Sequence, residues 1–201
     1  MQRRALLIDR DGTVCEDVGY LESPEALRLV PGSARAIVEA ARAGFQTILI
    51  TNQAGVAHGR LDELVLDEIH DRLRELLAAE GARLDGIYYC PHHPEAALPR
   101  YRVDCACRKP KPGMLLRARD EMGIELGSSY VIGDHQRDIE AGTSAGATSI
   151  LVLTGHGREM SNAGVPRPQA APAHVAADLH EAVGWILERE GRRGPAPSAR
   201  S

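Results

Sequence analysis

The chain has 201 residues, with 24 basic and 28 acidic side chains and a formal net charge of −4. This length fits one domain. Because acidic residues slightly outnumber basic ones, we expect no broad cationic surface and therefore no nucleic-acid partner. No stretch approaches the roughly 18 to 20 apolar residues of a membrane span, and the charged start MQRRALLIDRDG is unlike a signal peptide, which predicts a cytoplasmic protein without membrane contact.

The first half of the chain alternates between strand and helix patterns. Residues 5–8 form a short apolar run that predicts a strand, and a helical pattern begins at Ser33 and stops at Gly44. A second apolar run covers 45–50, and a long helical pattern covers 64–77. The same strand-and-helix unit therefore occurs twice, and residues 86–89 predict a third strand.

The second half continues the alternation. The pattern predicts a helix from about 112 to 122, a strand over 130–132, a helix over 139–145 and a strand over 148–153. Residues 157–172 are rich in Pro, Ala and Gly and predict a surface loop. The remaining elements are an edge strand at 174–176, a closing helix capped by Asp178 and a disordered tail at 191–201, which leaves 1–190 as a single domain.

Strands that alternate with helices predict an α/β fold with a doubly wound, mostly parallel sheet. Ligands of such sheets bind at the carboxyl ends of the strands. We therefore expect the polar side chains that follow the first, second and fourth strands to meet at one edge. These residues are Asp9, Asp11, Thr51, Asn52, Asp134 and Asp138.

The acids suit a metal-assisted phosphate chemistry. Asp9 and Asp11 are two residues apart, so on an extended strand end their side chains would face the same way and repel unless a cation lay between them. With Asp134 they form a set of hard oxygen ligands, which suits Mg²⁺. One carboxylate could attack phosphorus while the other transfers protons, and Thr51, Asn52, Arg108 or Lys109 could stabilise the phosphoryl group.

A cysteine and histidine group forms a second candidate metal site. Cys90, His92, Cys105 and Cys107 provide three thiolates and one imidazole, a complete tetrahedral set for a structural Zn²⁺. His93 is a competing ligand, and the thiols could instead be buried or form a disulfide. The set predicts a zinc-binding loop over about residues 88–110.

Four motifs in order resemble the haloacid dehalogenase (HAD) superfamily of phosphatases: D-x-D-G-T at 9–13, Thr51, Lys109 and G-D-x-x-x-D at 133–138. Within it the chain is most similar to the D-glycero-D-manno-heptose 1,7-bisphosphate 7-phosphatases. These share DRDGT, a Gly-Tyr loop at 19–20, TNQ-x-G at 51–55, CPHHP and CxCRKP. The resemblance runs from about residue 4 to 155.

This resemblance implies a Rossmann-like HAD fold without a large cap domain. It implies an Mg²⁺-dependent phosphatase that removes the 7-phosphate from the heptose bisphosphate, leaving heptose 1-phosphate, through an aspartyl-phosphate. Asp9 would be the nucleophile and Asp11 the general acid/base. Mg²⁺ would be held by Asp9, the backbone carbonyl of Asp11, and Asp134.

The resemblance also assigns the substrate contacts. Asp138 would support Lys109 and the metal-site waters. One departure is His135, where many members have Lys. The residues expected to bind the phosphoryl group or the rest of the substrate are Asp17, Val18, Gly19, Tyr20, Thr51, Asn52, Gln53, Ala54, Arg108 and Lys109.

Two alternatives stay open at this point. Histidinol-phosphate phosphatases share the DRDGT start, TNQ and the zinc loop, and would use the same catalytic residues on another substrate. A zinc-stabilised binding module is a hypothesis of another class, although aromatic residues at only 3% disfavour base stacking. The anomer of the sugar phosphate is undetermined, and we expect a monomer.

Overall fold

A computed structural model describes residues 3–162 and 170–193 of the chain. All six strands within these ranges pair in parallel in one sheet, in the order β3-β2-β1-β4-β5-β6. The predicted doubly wound parallel sheet is confirmed. The strands are β1 (Ala5–Ile8), β2 (Gln46–Asn52), β3 (Gly86–Cys90), β4 (Tyr130–Gly133), β5 (Thr148–Val152) and β6 (His174–Ala176).

Helices connect the strands as the pattern predicts, apart from a short helix at Ala54–Ala57 that it did not predict and two further differences. The helix after β4 begins at residue 136, earlier than expected, because the side chain of His135 accepts a hydrogen bond from the backbone N–H of Arg137 and caps the first turn. The helices are α1 (Ser33–Arg42), α2 (Ala54–Ala57), α3 (Glu63–Ala79), α4 (Gly113–Met122), α5 (Gln136–Ser144), α6 (Gly157–Asn162) and α7 (Leu179–Arg193).

The second difference is α6, which occupies the start of the segment predicted as a loop. That prediction is wrong for residues 157–162, because the prolines that break helices lie further along the chain, at positions 166, 168 and 172. Residues 163–169 lie outside the described residues. Residues 194–201 do so as well, and α7 continues through Arg193, so the domain boundary near residue 190 stays a prediction.

Both faces of the sheet are buried, which places the site at its edge. Leu6 and Ile8 of β1 pack in the core formed with α1, α3 and α7, whereas Leu7 packs in the core formed with α4. β1 and β4 are neighbours in the sheet although β2 and β3 lie between them in the chain, so the direction of winding reverses between them. In such sheets this reversal opens a crevice outside the carboxyl ends of the two strands. None of the helices within 3–162 and 170–193 has the length and apolar character needed to cross a membrane.

Candidate active site and metal centres

Three carboxylates meet at the carboxyl ends of β1 and β4. Asp9 follows β1, Asp134 follows β4, and Asp138 lies in the first turn of α5. Each offers an oxygen within 4.8 Å of the others, and all three side chains are almost completely buried. The predicted convergence of these acids on one edge of the sheet is confirmed.

Burial of Asp9 and Asp134 raises the pKa of their carboxyl groups, because it disfavours the negatively charged form. Burial, together with the neighbouring Asp138, raises the pKa of Asp9 to about 8, although Lys109 acts to lower it. Burial likewise raises the pKa of Asp134 to about 6. Asp134 Oδ2 accepts a hydrogen bond from the backbone N–H of His156 at 2.8 Å, but its buried Oδ1 has no hydrogen-bond partner among the described residues. Buried carboxylates with a free oxygen fit a hard divalent cation, so Asp9 and Asp134 could hold Mg²⁺.

Lys109 is the cation already present in this group. Its Nζ lies 2.9 Å from Asp9 Oδ1 and 2.6 Å from Asp138 Oδ1, and it donates a hydrogen bond to the carbonyl of Ile50. Burial acts to lower the pKa of Lys109, but the carboxylates of Asp138 and Asp9 outweigh burial and raise it. A charged ammonium group is therefore fixed beside the predicted nucleophile.

Asn52 positions the backbone of Lys109. Its Nδ2 donates to the Lys109 carbonyl at 3.0 Å, and its Oδ1 accepts from the Lys109 N–H at 3.1 Å. These bonds join the end of β2 to the end of the cysteine loop, which is the predicted zinc-binding loop over about residues 88–110. The expected contact between Asn52 and a substrate stays a prediction.

Asp11 lies outside the three-carboxylate group. Arg10 Nε and Nη2 donate to its two oxygens at 2.9 and 3.0 Å, and Gln53 Nε2 donates to Oδ2 at 2.9 Å. The expectation that Asp9 and Asp11 face one cation with their side chains therefore does not hold in this structure. The chain leaves the extended conformation after β1 and turns at Gly12, whose φ is +77°, and the guanidinium of Arg10 neutralises Asp11 instead.

Gln53 and Thr51 extend this hydrogen-bond network to β2. Gln53 Nε2 also donates to the hydroxyl of Thr51 at 2.7 Å, and Gln53 Oε1 accepts from Arg10 Nη2 at 2.9 Å. Sequence reasoning missed Arg10, although its place between two acids in the DRD segment was a usable signal. Gln53 thus contacts both the predicted proton-transfer group and a predicted phosphate ligand.

The glycine of the D-x-D-G-T motif is required by close packing. A Cβ at Gly12 would clash with the carboxylate of Asp134 and approach Gly155. Only glycine therefore allows the turn after Asp11 to pass against the second acid.

The loop at Asp17–Tyr20 lies at the surface. Its turn is held by a hydrogen bond from the Gly19 N–H to Asp17 Oδ1 at 2.7 Å, and Asp17 Oδ2 lies 3.1 Å from His156 Nε2. Val18 and Tyr20 are large side chains left exposed, at 54% and 45%. Ala54 is half-buried at the start of α2. These placements leave the loop free to contact a ligand, and its substrate role stays a prediction.

His135 adds no positive charge beside Asp134. Burial lowers its pKa, and the nearby positive charge of Arg137 lowers it further. The ring instead caps α5, while the His135 N–H donates to Asp138 Oδ2 at 3.1 Å. The bond to Asp138 comes from the backbone of residue 135, so it does not depend on the departure from the family pattern.

The four predicted zinc ligands also meet. The three sulfur atoms lie 3.1 to 3.4 Å from one another, and Cys107 Sγ lies 3.5 Å from His92 Nδ1. All four cysteines of the chain are free, so the disulfide alternative is not observed. His93 lies outside the group, and its Nδ1 accepts a hydrogen bond from the Glu95 N–H, so His92 is the histidine of this site. Three thiols and one imidazole fit a structural Zn²⁺.

The zinc-binding group is directly continuous with the acid site. Arg108 follows Cys107, and its Nη1 donates to the carbonyl of His92 at 3.2 Å. Lys109 comes next and enters the carboxylate group. A metal at the cysteines would therefore fix both cations of the CRKP segment.

Comparisons with known proteins agree with this site. A HAD-hydrolase-like family model matches residues 106–182. The D-glycero-beta-D-manno-heptose-1,7-bisphosphate 7-phosphatase of Escherichia coli K12 is 40% identical over 91% of this chain and 87% of its own length. The D-glycero-alpha-D-manno-heptose-1,7-bisphosphate 7-phosphatase of Burkholderia mallei is 39% identical over 76% of this chain and 81% of its own.

A solved structure gives the same result. The D,D-heptose 1,7-bisphosphate phosphatase from B. bronchiseptica, complexed with magnesium and phosphate, superimposes with a TM-score of 0.80 at 35% identity, over 92% of this chain and 99% of that one. The chain belongs to the heptose-1,7-bisphosphate 7-phosphatase family of HAD-like phosphatases.

Proposed function

We propose that this protein is an Mg²⁺-dependent phosphatase that removes the 7-phosphate from D-glycero-D-manno-heptose 1,7-bisphosphate and leaves heptose 1-phosphate. The observation that carries the proposal is the contact of Lys109 Nζ with Asp9 and Asp138, beside the unpartnered oxygen of Asp134. A buried carboxylate held next to a fixed cation and a metal site is the arrangement that phosphoryl transfer to a carboxylate needs.

The chemistry divides into two displacements at phosphorus. A carboxylate oxygen of Asp9 forms a bond to phosphorus as the bond from phosphorus to the C7 oxygen breaks, and Asp11 gives a proton to that oxygen. Water then attacks the phosphoryl group on Asp9, Asp11 takes a proton from it, and phosphate leaves with Asp9 restored. A bound Mg²⁺ would neutralise charge between Asp9, Asp134 and the phosphoryl oxygens.

The remaining residues of the site would bind and orient the substrate. Lys109 and Thr51 would hold the transferring phosphoryl group, and Asp138 would keep Lys109 in place. Zn²⁺ at Cys90, His92, Cys105 and Cys107 would have a structural role. The residues that would contact the rest of the substrate are Asp17, Val18, Gly19, Tyr20, Asn52, Gln53, Ala54 and Arg108.

The proposal also covers the location, oligomeric state and partners of the protein. We expect a cytoplasmic monomer, folded as one domain over 1–190, that acts on a small sugar phosphate without a nucleic-acid or membrane partner. Light scattering of the purified chain measures the oligomeric part of this proposal, and a dimer mass would contradict it.

Phosphate release from a substrate panel tests the function. The panel holds both anomers of heptose 1,7-bisphosphate, histidinol phosphate and fructose 1,6-bisphosphate, each with Mg²⁺ and then with EDTA. We expect at least a ten-fold preference in kcat/KM for one heptose anomer, about 1.4 kcal/mol in transition-state binding. The β and α names of the relatives make the anomer an outcome of the panel. A preference for histidinol phosphate would replace the substrate but keep the catalytic residues.

Asp9→Asn separates an enzyme from a binding module. The change removes the nucleophile but keeps the size of the side chain, so release of phosphate should fall below detection. Wild-type turnover in the Asp9→Asn protein would contradict the covalent mechanism, and no turnover of any panel member by the wild type would favour the binding module.

A further inference from the structure

His156 contacts both the acid site and the surface loop at residues 17–20. Its backbone N–H donates to Asp134 Oδ2 at 2.8 Å, and its imidazole Nε2 lies 3.1 Å from Asp17 Oδ2. Because an ionised carboxylate oxygen can only accept a hydrogen bond, Nε2 is the ring nitrogen that carries the proton and donates to Asp17. One residue therefore joins a predicted metal ligand to a loop that is predicted to contact the substrate.

The backbone of His156 is held on both sides. The preceding residue, Gly155, has a φ of +52°, and a Cβ at this position would clash with the carboxylate of Asp134. On the other side, the His156 carbonyl accepts a hydrogen bond from the Met160 N–H of α6 at 3.1 Å. The starting point of the imidazole side chain is therefore fixed relative to the acid site.

Asp17 uses both of its carboxylate oxygens within the protein. Its Oδ1 accepts from the Gly19 N–H at 2.7 Å and closes the turn of the loop, while its Oδ2 faces His156. The side chain of Asp17 is only 18% exposed, whereas the neighbouring Val18 and Tyr20 are exposed. Asp17 is therefore placed to organise the loop, and the exposed side chains are placed to meet a ligand.

The other ring nitrogen of His156 has a weaker partner. Its Nδ1 lies 3.6 Å from Glu159 Oε2, which is too far for a hydrogen bond, and the Glu159 side chain is 84% exposed. Exposed contacts of this kind contribute little, because water competes for both groups. The contact with Asp17 is therefore the one that fixes the imidazole.

We propose that His156 is a positioning residue that holds the loop at 17–20 in its substrate-binding conformation through Asp17. The imidazole fixes the loop, whereas the backbone N–H of the same residue orients Asp134. Loss of the imidazole should therefore weaken substrate binding without changing the metal site. This role rests on the proposed function in one respect, since it requires that the loop contacts the substrate, whichever phosphorylated molecule that is.

Hydrogen–deuterium exchange in the absence of substrate tests the contact itself. In His156→Ala, the peptide that contains Gly19 should exchange at least about 5-fold faster than in the wild type, because Asp17 loses the donor that orients it. His156→Gln, whose amide can donate from nearly the same position as Nε2, should recover part of the protection. His180→Ala is the matched control: it removes a similar contact, from His180 Nε2 to Glu39 Oε2 at 3.3 Å, between α7 and α1, and should leave the exchange of this peptide unchanged.

Steady-state kinetics test the consequence for the substrate. On the panel member that the wild type prefers, His156→Ala should raise KM by about 5-fold or more and keep kcat within about two-fold. His156→Gln should recover part of the KM, and Glu159→Ala should keep the wild-type value. In an Asp17→Ala background, His156→Ala should add less than about two-fold to KM, because both residues act through the same contact.

The magnesium requirement separates the two roles of His156. The Mg²⁺ concentration for half-maximal phosphate release should not change in His156→Ala, because the backbone N–H that donates to Asp134 remains. A higher magnesium requirement in this variant would show that the side chain acts through Asp134, and would overturn the inference. So would unchanged exchange of the Gly19 peptide, or faster exchange without a rise in KM.

The substrate panel keeps this inference distinct from the proposed function. If histidinol phosphate is preferred and His156→Ala raises its KM, the heptose substrate is wrong and the positioning role stands. If a heptose bisphosphate is preferred and its KM survives the substitution, the function stands and the positioning role is wrong. No turnover of any panel member by the wild type would overturn both.

Discussion

Arg10 binds both carboxylate oxygens of the adjacent Asp11, through Nε at 2.9 Å and Nη2 at 3.0 Å. Gln53 adds a third donor to Asp11 Oδ2. A carboxylate held by a two-pronged guanidinium contact is strongly oriented. Asp11 must therefore give up part of this contact to transfer a proton at a leaving oxygen, and the DRD segment contains both the proton-transfer group and the residue that positions it.

Gln53→Leu should lower kcat by about 10-fold, because Asp11 and Thr51 lose their shared donor and Arg10 loses an acceptor. Leaving Arg10 Nη2 with fewer partners in a buried position should also reduce the free energy of unfolding by about 1–3 kcal/mol. Steady-state kinetics and urea unfolding measure the two effects.

Gln46→Leu is the matched control, since Gln46 lies at the opposite end of the same strand, β2. Its buried Oε1 has no hydrogen-bond partner among the described residues, so kcat should not change. Equal losses of kcat in the two variants would contradict a positioning role for Gln53.

Asp134→Asn should raise the Mg²⁺ concentration for half-maximal activity by about 10-fold or more, because one negative ligand of the proposed site is lost. The amide oxygen can still accept the hydrogen bond from the His156 N–H, so the loop should keep its place. Magnesium titration of phosphate release makes the measurement. Asp62→Asn, which keeps an N-cap side chain on α3, should leave the titration unchanged. A wild-type magnesium curve for Asp134→Asn would exclude Asp134 as a ligand.

The placement of the acids was predictable because it depends on topology. Asp9 and Asp134 each follow an apolar run. Parallel strands bring their carboxyl ends to one edge of the sheet regardless of side-chain conformation. The cysteine group was predictable for a similar reason, since three thiols and His92 form a complete ligand set within one short segment.

The partners of individual side chains were not predictable, because they depend on rotamers and on contacts between distant segments. Sequence spacing placed Asp11 beside Asp9, but it held no information on whether the guanidinium of Arg10 would reach Asp11. Likewise, Asn52 was expected at a substrate, whereas the structure uses both ends of its amide on the backbone of Lys109.

Cys107→Ser should remove the bound zinc and lower Tm by at least about 5 °C, because a structural metal contributes several kcal/mol to folding. KM should rise as well, since Arg108 and Lys109 directly follow the lost ligand. Zinc per chain is measured by elemental analysis and Tm by calorimetry. Cys15→Ala is the control: burial raises the pKa of this thiol to about 12, it lies outside the cysteine group, and its removal should leave the zinc content at one per chain. Full zinc content in Cys107→Ser would contradict the assignment.

His70 should make the fold sensitive to acid. It is 3% exposed on α3, and its Nε2 has no hydrogen-bond partner among the described residues. Burial, together with the positive charges of Arg10 and Arg74, lowers its pKa to about 3. A histidine whose pKa is lower in the folded state takes up its proton only on unfolding, so it has no effect on stability above about pH 6.5 and lowers stability as the pH falls from there towards 3.

His70→Phe should remove this dependence, which amounts to at most about 1.4 kcal/mol per pH unit for one proton. Urea unfolding at pH 7.5, 6 and 5 should therefore show a steeper loss of unfolding free energy for the wild type than for the variant. His174→Phe is the control, because His174 is only half-buried and stacks on Trp185 at 4.7 Å, so this variant should follow the wild-type slope. Parallel slopes for wild type and His70→Phe would mean that His70 is protonated in the folded protein. Any acid sensitivity would then have to come from carboxylates whose pKa is lowered in the folded state, such as Glu63, because Asp9 and Asp134, whose pKa values are raised, act with the opposite sign.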